Sequence, residues 1–176
     1  RSMKNHLQNF INFVDTVNEN IGKTTSWLVG VLVILVCGRV LGRMLFDSEP
    51  VWLPELEWHL FAMIFLLAAG YTLKYDKHVR VDLFYADFSE KDKALVNLTG
   101  ALLFLIPWCC LIIWVSYDYA LGSFKILESS PNPNGLPYRF VVKFAITIGA
   151  CLLLLQALAM VASSLLTLKY KVVREN

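Results

Sequence analysis

Apolar residues crowd into four stretches, at about 26–46, 55–74, 93–121 and 138–168, with polar segments between them. Each is long enough to cross a hydrocarbon core of about 30 Å as a helix. The pattern therefore predicts an all-α polytopic membrane protein with four transmembrane helices and amphipathic surface segments, in a single membrane domain. Ahead of the first span, residues 4–23 are polar apart from Leu7, Phe10, Ile11, Val14, Val17 and Ile21, which recur at steps of three and four. That is helical spacing. It predicts an amphipathic helix lying on the membrane surface, with a plain extension of the first span as the alternative.

The ends of the spans carry further signals. Thr25 or Ser26 is expected to cap the first span, with Trp27 at the interface. Pro54 suits the first turn of the second, and Ser89-Glu90-Lys91-Asp92 fits the start signal of the third. Pro107, near the middle of the third span, predicts a kink. Trp108 and Trp114 are too central for an interfacial belt and are expected to pack on another helix or on lipid. The segment 122–137 holds Gly135, Pro131, Pro133 and Pro137 and cannot be one regular helix. The fourth span exceeds what a bilayer requires, so it tilts or projects. Between spans two and three, Val79, Val81, Leu83, Phe84 and Phe88 are set among charges and fit either a short surface helix or an extended turn.

Composition agrees with this pattern: 57% of the 176 residues are hydrophobic and mean hydropathy is +0.55. A net charge of +2, spread along the chain, gives no nucleic-acid footprint. Arg1 and Ser2 precede Met3 and resemble a tag remnant, and the first span is too long for a signal-peptide core. With Arg1 discounted, ten Lys and Arg fall on the side of the two termini and three (Lys125, Arg139, Lys143) on the other. Positive residues favour the cytoplasm, so both termini are expected inside.

Little chemistry lies within the spans. Cys37, Cys109, Cys110 and Cys151 are all in spans without metal-ligand spacing and read as apolar fillers. His6, His59 and His78 lie near the surfaces, where none could ligate a deep haem. No nucleophile, base or metal cluster marks an enzyme. Arg39 and Arg43 share one helix face, and a charge at the depth of Arg39 calls for a partner. Glu55 and Glu57 begin the second span within reach. Gln156 is the one strongly polar residue inside the fourth. These features favour an accessory membrane subunit packed against something larger.

Trp52-x-x-Glu55-Leu56, Gly70-Tyr71 and His78-Val79-Arg80-Val81-Asp82, in a four-span frame, resemble the small membrane subunit (Q-type) of tripartite ATP-independent periplasmic (TRAP) transporters over about residues 25–168. The resemblance implies a scaffold in the bacterial inner membrane with both termini cytoplasmic. Its implied partners are a large multi-span subunit moving as an elevator, a periplasmic substrate-binding protein and membrane lipids. It implies sodium-driven uptake of an organic acid, no cofactor on this chain, and sodium only in the partner subunit. On that basis Arg39 and Arg43, with Glu55, fix the first two helices together or hold a lipid phosphate. His78, Arg80 and Asp82 act structurally at the inner surface. Asp47, Glu49, Lys125, Glu128 and Arg139 form the periplasmic docking face. The alternatives are an anchor of a respiratory complex and a stand-alone oligomeric small transporter.

Overall fold

A computed structural model describes residues 2–47, 49–75 and 88–170. The described residues form four long helices and no strand: α1 (Ser2–Phe46), α2 (Trp52–Lys74), α3 (Glu90–Lys125) and α4 (Phe140–Tyr170). All four are long and apolar enough to cross a membrane.

The segment at 4–23 is not a separate surface helix. It runs without interruption into the first span, and Leu7, Ile11 and Val14 pack against Leu155, Ala159, Ala162 and Leu166 of α4. Protein therefore covers part of the stripe, Phe10 staying exposed, and the segment extends the first span. For the same reason neither Thr25 nor Ser26 is a cap. The helix already continues before them, so no free N–H group is left there for a cap to accept from. Their hydroxyls instead donate backwards, Thr25 Oγ1 to the Ile21 carbonyl at 2.7 Å and Ser26 Oγ to the Gly22 carbonyl at 2.9 Å.

Ser89 does cap α3: its Oγ accepts from the Asp92 amide at 3.3 Å. Farther along, residues Ala101–Leu105 of α3 form a π-helical turn. Pro107 has no N–H, and its ring crowds the carbonyl four residues back. The widened turn makes room for that ring, with the Ile106 amide reaching the Ala101 carbonyl. The expected irregularity at Pro107 thus takes the form of a π turn. Trp108 and Trp114 are exposed on this helix at 59% and 72%, so most of each ring faces away from the other helices of the chain.

α4 is the hub. It packs against α1, α2 and α3; α1 and α2 also pack together, whereas α3 joins the bundle through α4. The buried face of α4 is built from small residues, among them Ala145, Ala150, Ala157, Ala159 and Ala162. Small side chains allow close backbone approach, which is the main source of helix attraction in a membrane. The approach is close at two glycines. A Cβ on Gly149 would lie 2.5 Å from the Leu66 carbonyl oxygen, and one on Gly70 would lie 2.1 Å from Asn18 Oδ1 and 3.1 Å from the Leu152 oxygen.

Candidate functional site

Two polar layers hold the side chains singled out above, one at the loop end of the bundle and one where the N-terminal half of α1 meets the middle of α4. At the end bearing the 126–139 loop, Arg39 lies between two carboxylates. Its Nη1 donates to Glu49 Oε1 at 2.9 Å. Its Nε lies 2.8 Å from Glu57 Oε1, but neither of these two atoms makes an aligned hydrogen bond, so that contact is coulombic. Arg43 is largely exposed, 4.0 Å from Glu49 Oε2. The pairing expected of Arg39 therefore exists, and its partners are Glu49 and Glu57.

Glu55 does not join the arginines. Its carboxylate faces the loop between α3 and α4, accepting from Ser130 Oγ at 2.5 Å, Asn132 Nδ2 at 2.9 Å and the Leu136 amide at 2.7 Å. Helix α2 thereby anchors a loop about 80 residues downstream. The loop is closed on its other flank by Glu128, which pairs with the Lys143 ammonium. That ammonium holds the Glu128 carboxyl below its ordinary pKa. Lys143 also sits 3.9 Å from the centre of the Tyr119 ring, and the Arg139 guanidinium is 5.6 Å from that of Trp58. Leu127, Asn134 and Tyr138 take positive φ values of 46°, 62° and 63°. Such values are costly for residues with side chains, and these anchors hold them.

Of the five residues assigned to a docking face, Asp47 and Lys125 are exposed. Glu49, Glu128 and Arg139 are engaged within the chain. His78, Arg80 and Asp82 lie outside the described residues, as does the 79–87 part of the amphipathic stretch; Phe88 is exposed and non-helical.

The second layer lies toward the N-terminal half of α1, and sequence reasoning saw only part of it. Asn18 Nδ2 donates to Gln156 Oε1 at 2.9 Å, and Gln156 Nε2 donates to Asp15 Oδ1 at 3.0 Å. Asn18 and Gln156 are each 1% exposed. Next to them Glu19 pairs with Lys74 of α2 and, at 2.5 Å, with Lys23. Asn18 and Thr25 continue the three-and-four spacing of Ile11 and Val14, and all four are buried. Polar residues recurring in the apolar register were the available signal. A third cross-link, Ser116 to Thr147 at 2.9 Å, ties α3 to α4 midway.

Among the described residues no group of His, Cys, Asp and Glu is arranged to hold a metal ion. The interior polar groups are instead joined helix to helix. Such an arrangement fixes helix register and spacing.

A protein-family model described as tripartite ATP-independent periplasmic transporters, DctQ component, matches residues 32–167. A curated relative, the sialic acid TRAP transporter permease protein SiaT of Haemophilus influenzae (strain 86-028NP), is 27% identical over 101 residues. That alignment covers 55% of this chain and 16% of the relative, so the chain matches a small part of a much longer protein.

Proposed function

Because this chain belongs to the DctQ-component family of tripartite ATP-independent periplasmic transporters, we propose that it is the static small subunit of a sodium-driven organic-acid importer. One observation carries this reading. The polar residues inside the bundle, Asn18, Asp15, Gln156, Ser116 and Thr147, bond across helix pairs, while α1 and α3 turn large apolar side chains outward. Bonded polar groups make a rigid body rather than a path for a solute, and apolar outer faces suit lipid and a membrane partner.

In this reading a larger multi-span subunit carries substrate and sodium by an elevator motion, and this chain supplies a surface that does not move. The relative's much greater length leaves room for such a unit, and its name, which refers to sialic acid, supports an organic-acid cargo. The protein sits in the bacterial inner membrane with both termini cytoplasmic, as the charge count favours. The 126–139 loop then faces the periplasm, pinned by Glu55 and by the Glu128–Lys143 pair, with Asp47 and Lys125 free to meet a substrate-binding protein. The chain carries no cofactor and catalyses no reaction of its own. Arg39 and Glu57 join α1 to α2 and keep that surface stiff.

The test is mild extraction from the native membrane followed by mass spectrometry of what co-purifies. A stoichiometric, larger multi-span protein is expected. A chain that emerges alone as a stable homo-oligomer, and moves an organic acid in liposomes, would overturn the assignment.

A further inference from the structure

We propose that the bilayer crosses this bundle obliquely, with α3 and α4 steeply inclined to the membrane normal and the inner polar boundary climbing from α3 to α1. Contacts along α4 give a common height scale. Asn18 of α1 meets Gln156, and Ile11 and Val14 cluster with Ala159, Ala162 and Leu166. Gly70 and Leu66 of α2 meet Leu152 and Gly149. Tyr119 and Ser116 of α3 meet Lys143 and Thr147. Extending these contacts at 1.5 Å per residue gives heights on α4 for other positions of the three helices.

On that scale the charged ends do not lie in planes perpendicular to the helices. At the end of the two termini, Lys93 of α3 is level with Tyr170, beside Lys169. Lys74 of α2, through Glu19, is level with Gln156. Lys23 of α1 is level with Ala150. The boundary thus climbs some 20 residues, about 30 Å at 1.5 Å per residue. At the loop end it climbs the same way by about 8 Å, from Asp118 of α3, level with Ala145, to Glu57 of α2 beside Phe140. The lateral run from α3 through α4 to α1 is two helix spacings, about 20 Å. With that run, the two climbs correspond to slopes of about 55° at the end of the termini and about 20° at the loop end, both in the same sense.

Helix length points the same way. Lys143 and Lys169 of α4 are 26 residues apart, about 39 Å, longer than a core of about 30 Å, and an inclination of about 40° would bring both lysines to its boundaries. Transmembrane helices average about 20°. In such a pose the shorter α2 draws its charged ends inward, and both ends are paired, Glu57 with Arg39 and Lys74 with Glu19. The two edges also differ in composition at one height. Beside residues 157–164 of α4, α3 exposes Leu102, Leu103 and Phe104, whereas α1 exposes a mixed face, Asn9, Asn12 and Thr16 together with Phe10 and Phe13. An upright bundle would place both sets at the same depth.

The test compares Asn20 and the native exposed Cys110, which stand level on opposite edges. The full chain, with Cys37→Ser and Cys151→Ser, is spin-labelled either at Cys110 or, in Cys110→Ser, at Asn20→Cys. It is then placed in phosphatidylethanolamine–phosphatidylglycerol vesicles. The label at residue 20 is expected to relax with a water-soluble nickel chelate, and the label at residue 110 with oxygen. Equal response at the two sites would overturn the oblique pose. So would a label at Cys110 reached by neither agent, since that face would then be covered by protein. Polarised infrared dichroism on the same vesicles should give a mean helix inclination above the ordinary value of about 20°. A mean inclination at or below the ordinary value of about 20° would also overturn it.

Discussion

Replacing Gly149 by Ala tests how closely α2 and α4 approach. The added Cβ would lie 2.5 Å from the Leu66 carbonyl oxygen and 2.9 Å from its carbonyl carbon, both backbone atoms that cannot swing aside. Relief to an ordinary contact near 3.4 Å requires the two helices to part by most of an ångström along much of their shared length. Overpacking of this kind costs about 1–3 kcal/mol, and a backbone obstacle puts this site in the upper half of that range. Gly149→Ala also gains about 1 kcal/mol of helix propensity, which would mask part of the cost. Gly30→Ala supplies the reference: it gains the same propensity and its Cβ meets nothing within 4 Å. The difference between the two variants isolates the steric term, expected at about 2–3 kcal/mol. At roughly 2–4 °C per kcal/mol for a chain of this size, Gly149→Ala should melt about 4–12 °C below Gly30→Ala. Both are read by circular dichroism of the purified chain in one detergent. Equal melting temperatures would show that α2 and α4 are not in backbone contact at this level.

Other substitutions probe the polar layers. Gln156→Leu removes the link from Asn18 and the donor to Asp15; a loss of about 2 kcal/mol is expected, with an Asn18→Ala/Gln156→Leu double-mutant cycle showing positive coupling. Arg39→Ala leaves Glu57 without its cation and should reduce the yield of assembled complex or uptake; normal uptake at normal complex level would remove the pairing role. Glu55→Ala deprives Ser130, Asn132 and Leu136 of one shared acceptor, so a protease should nick the 126–139 loop several-fold faster while the helices stay intact. The Glu128 carboxyl is held below its ordinary pKa by Lys143, so its stabilising effect is complete above the unfolded carboxyl value of about 4.3 and is lost as pH falls through the lower folded value. The melting-temperature gap between wild type and Glu128→Gln should therefore be constant from pH 7 to 5 and shrink below about 4.3.

The four spans, the Ser89 cap and the need of Arg39 for a partner could be read from local pattern, because each depends on residues within one helix or its entrance. The choice of partner could not. Glu55 and Glu57 are two residues apart and chemically alike, yet one anchors a distant loop and the other meets Arg39. Two residues along a helix turn a side chain by about 200°, and only the packed bundle decides what each direction meets. The stripe on α1 posed a similar problem. Leu7, Ile11 and Val14 are covered by α4, whereas Phe10 lies on the neighbouring exposed face, and helical spacing fits both sets. Periodicity located a face but not its cover, so a surface helix and a packed extension looked alike. Asn18 and Gln156 were the least visible, since their bond spans 138 positions.

The position of α4 at the hub also sets an order of events during synthesis. Helices α1 and α2 can pair as soon as both have entered the membrane. Helix α3 contacts neither of them appreciably and has to wait for α4. At about 5–20 residues per second, the ribosome takes roughly 2–9 s to pass from Lys125 to Tyr170. Until α4 is in place the Ser116 face of α3 has no Thr147 to bond. A released chain truncated in the 126–139 loop would thus present one matched helix pair and one orphan span, the form that membrane quality control is suited to remove.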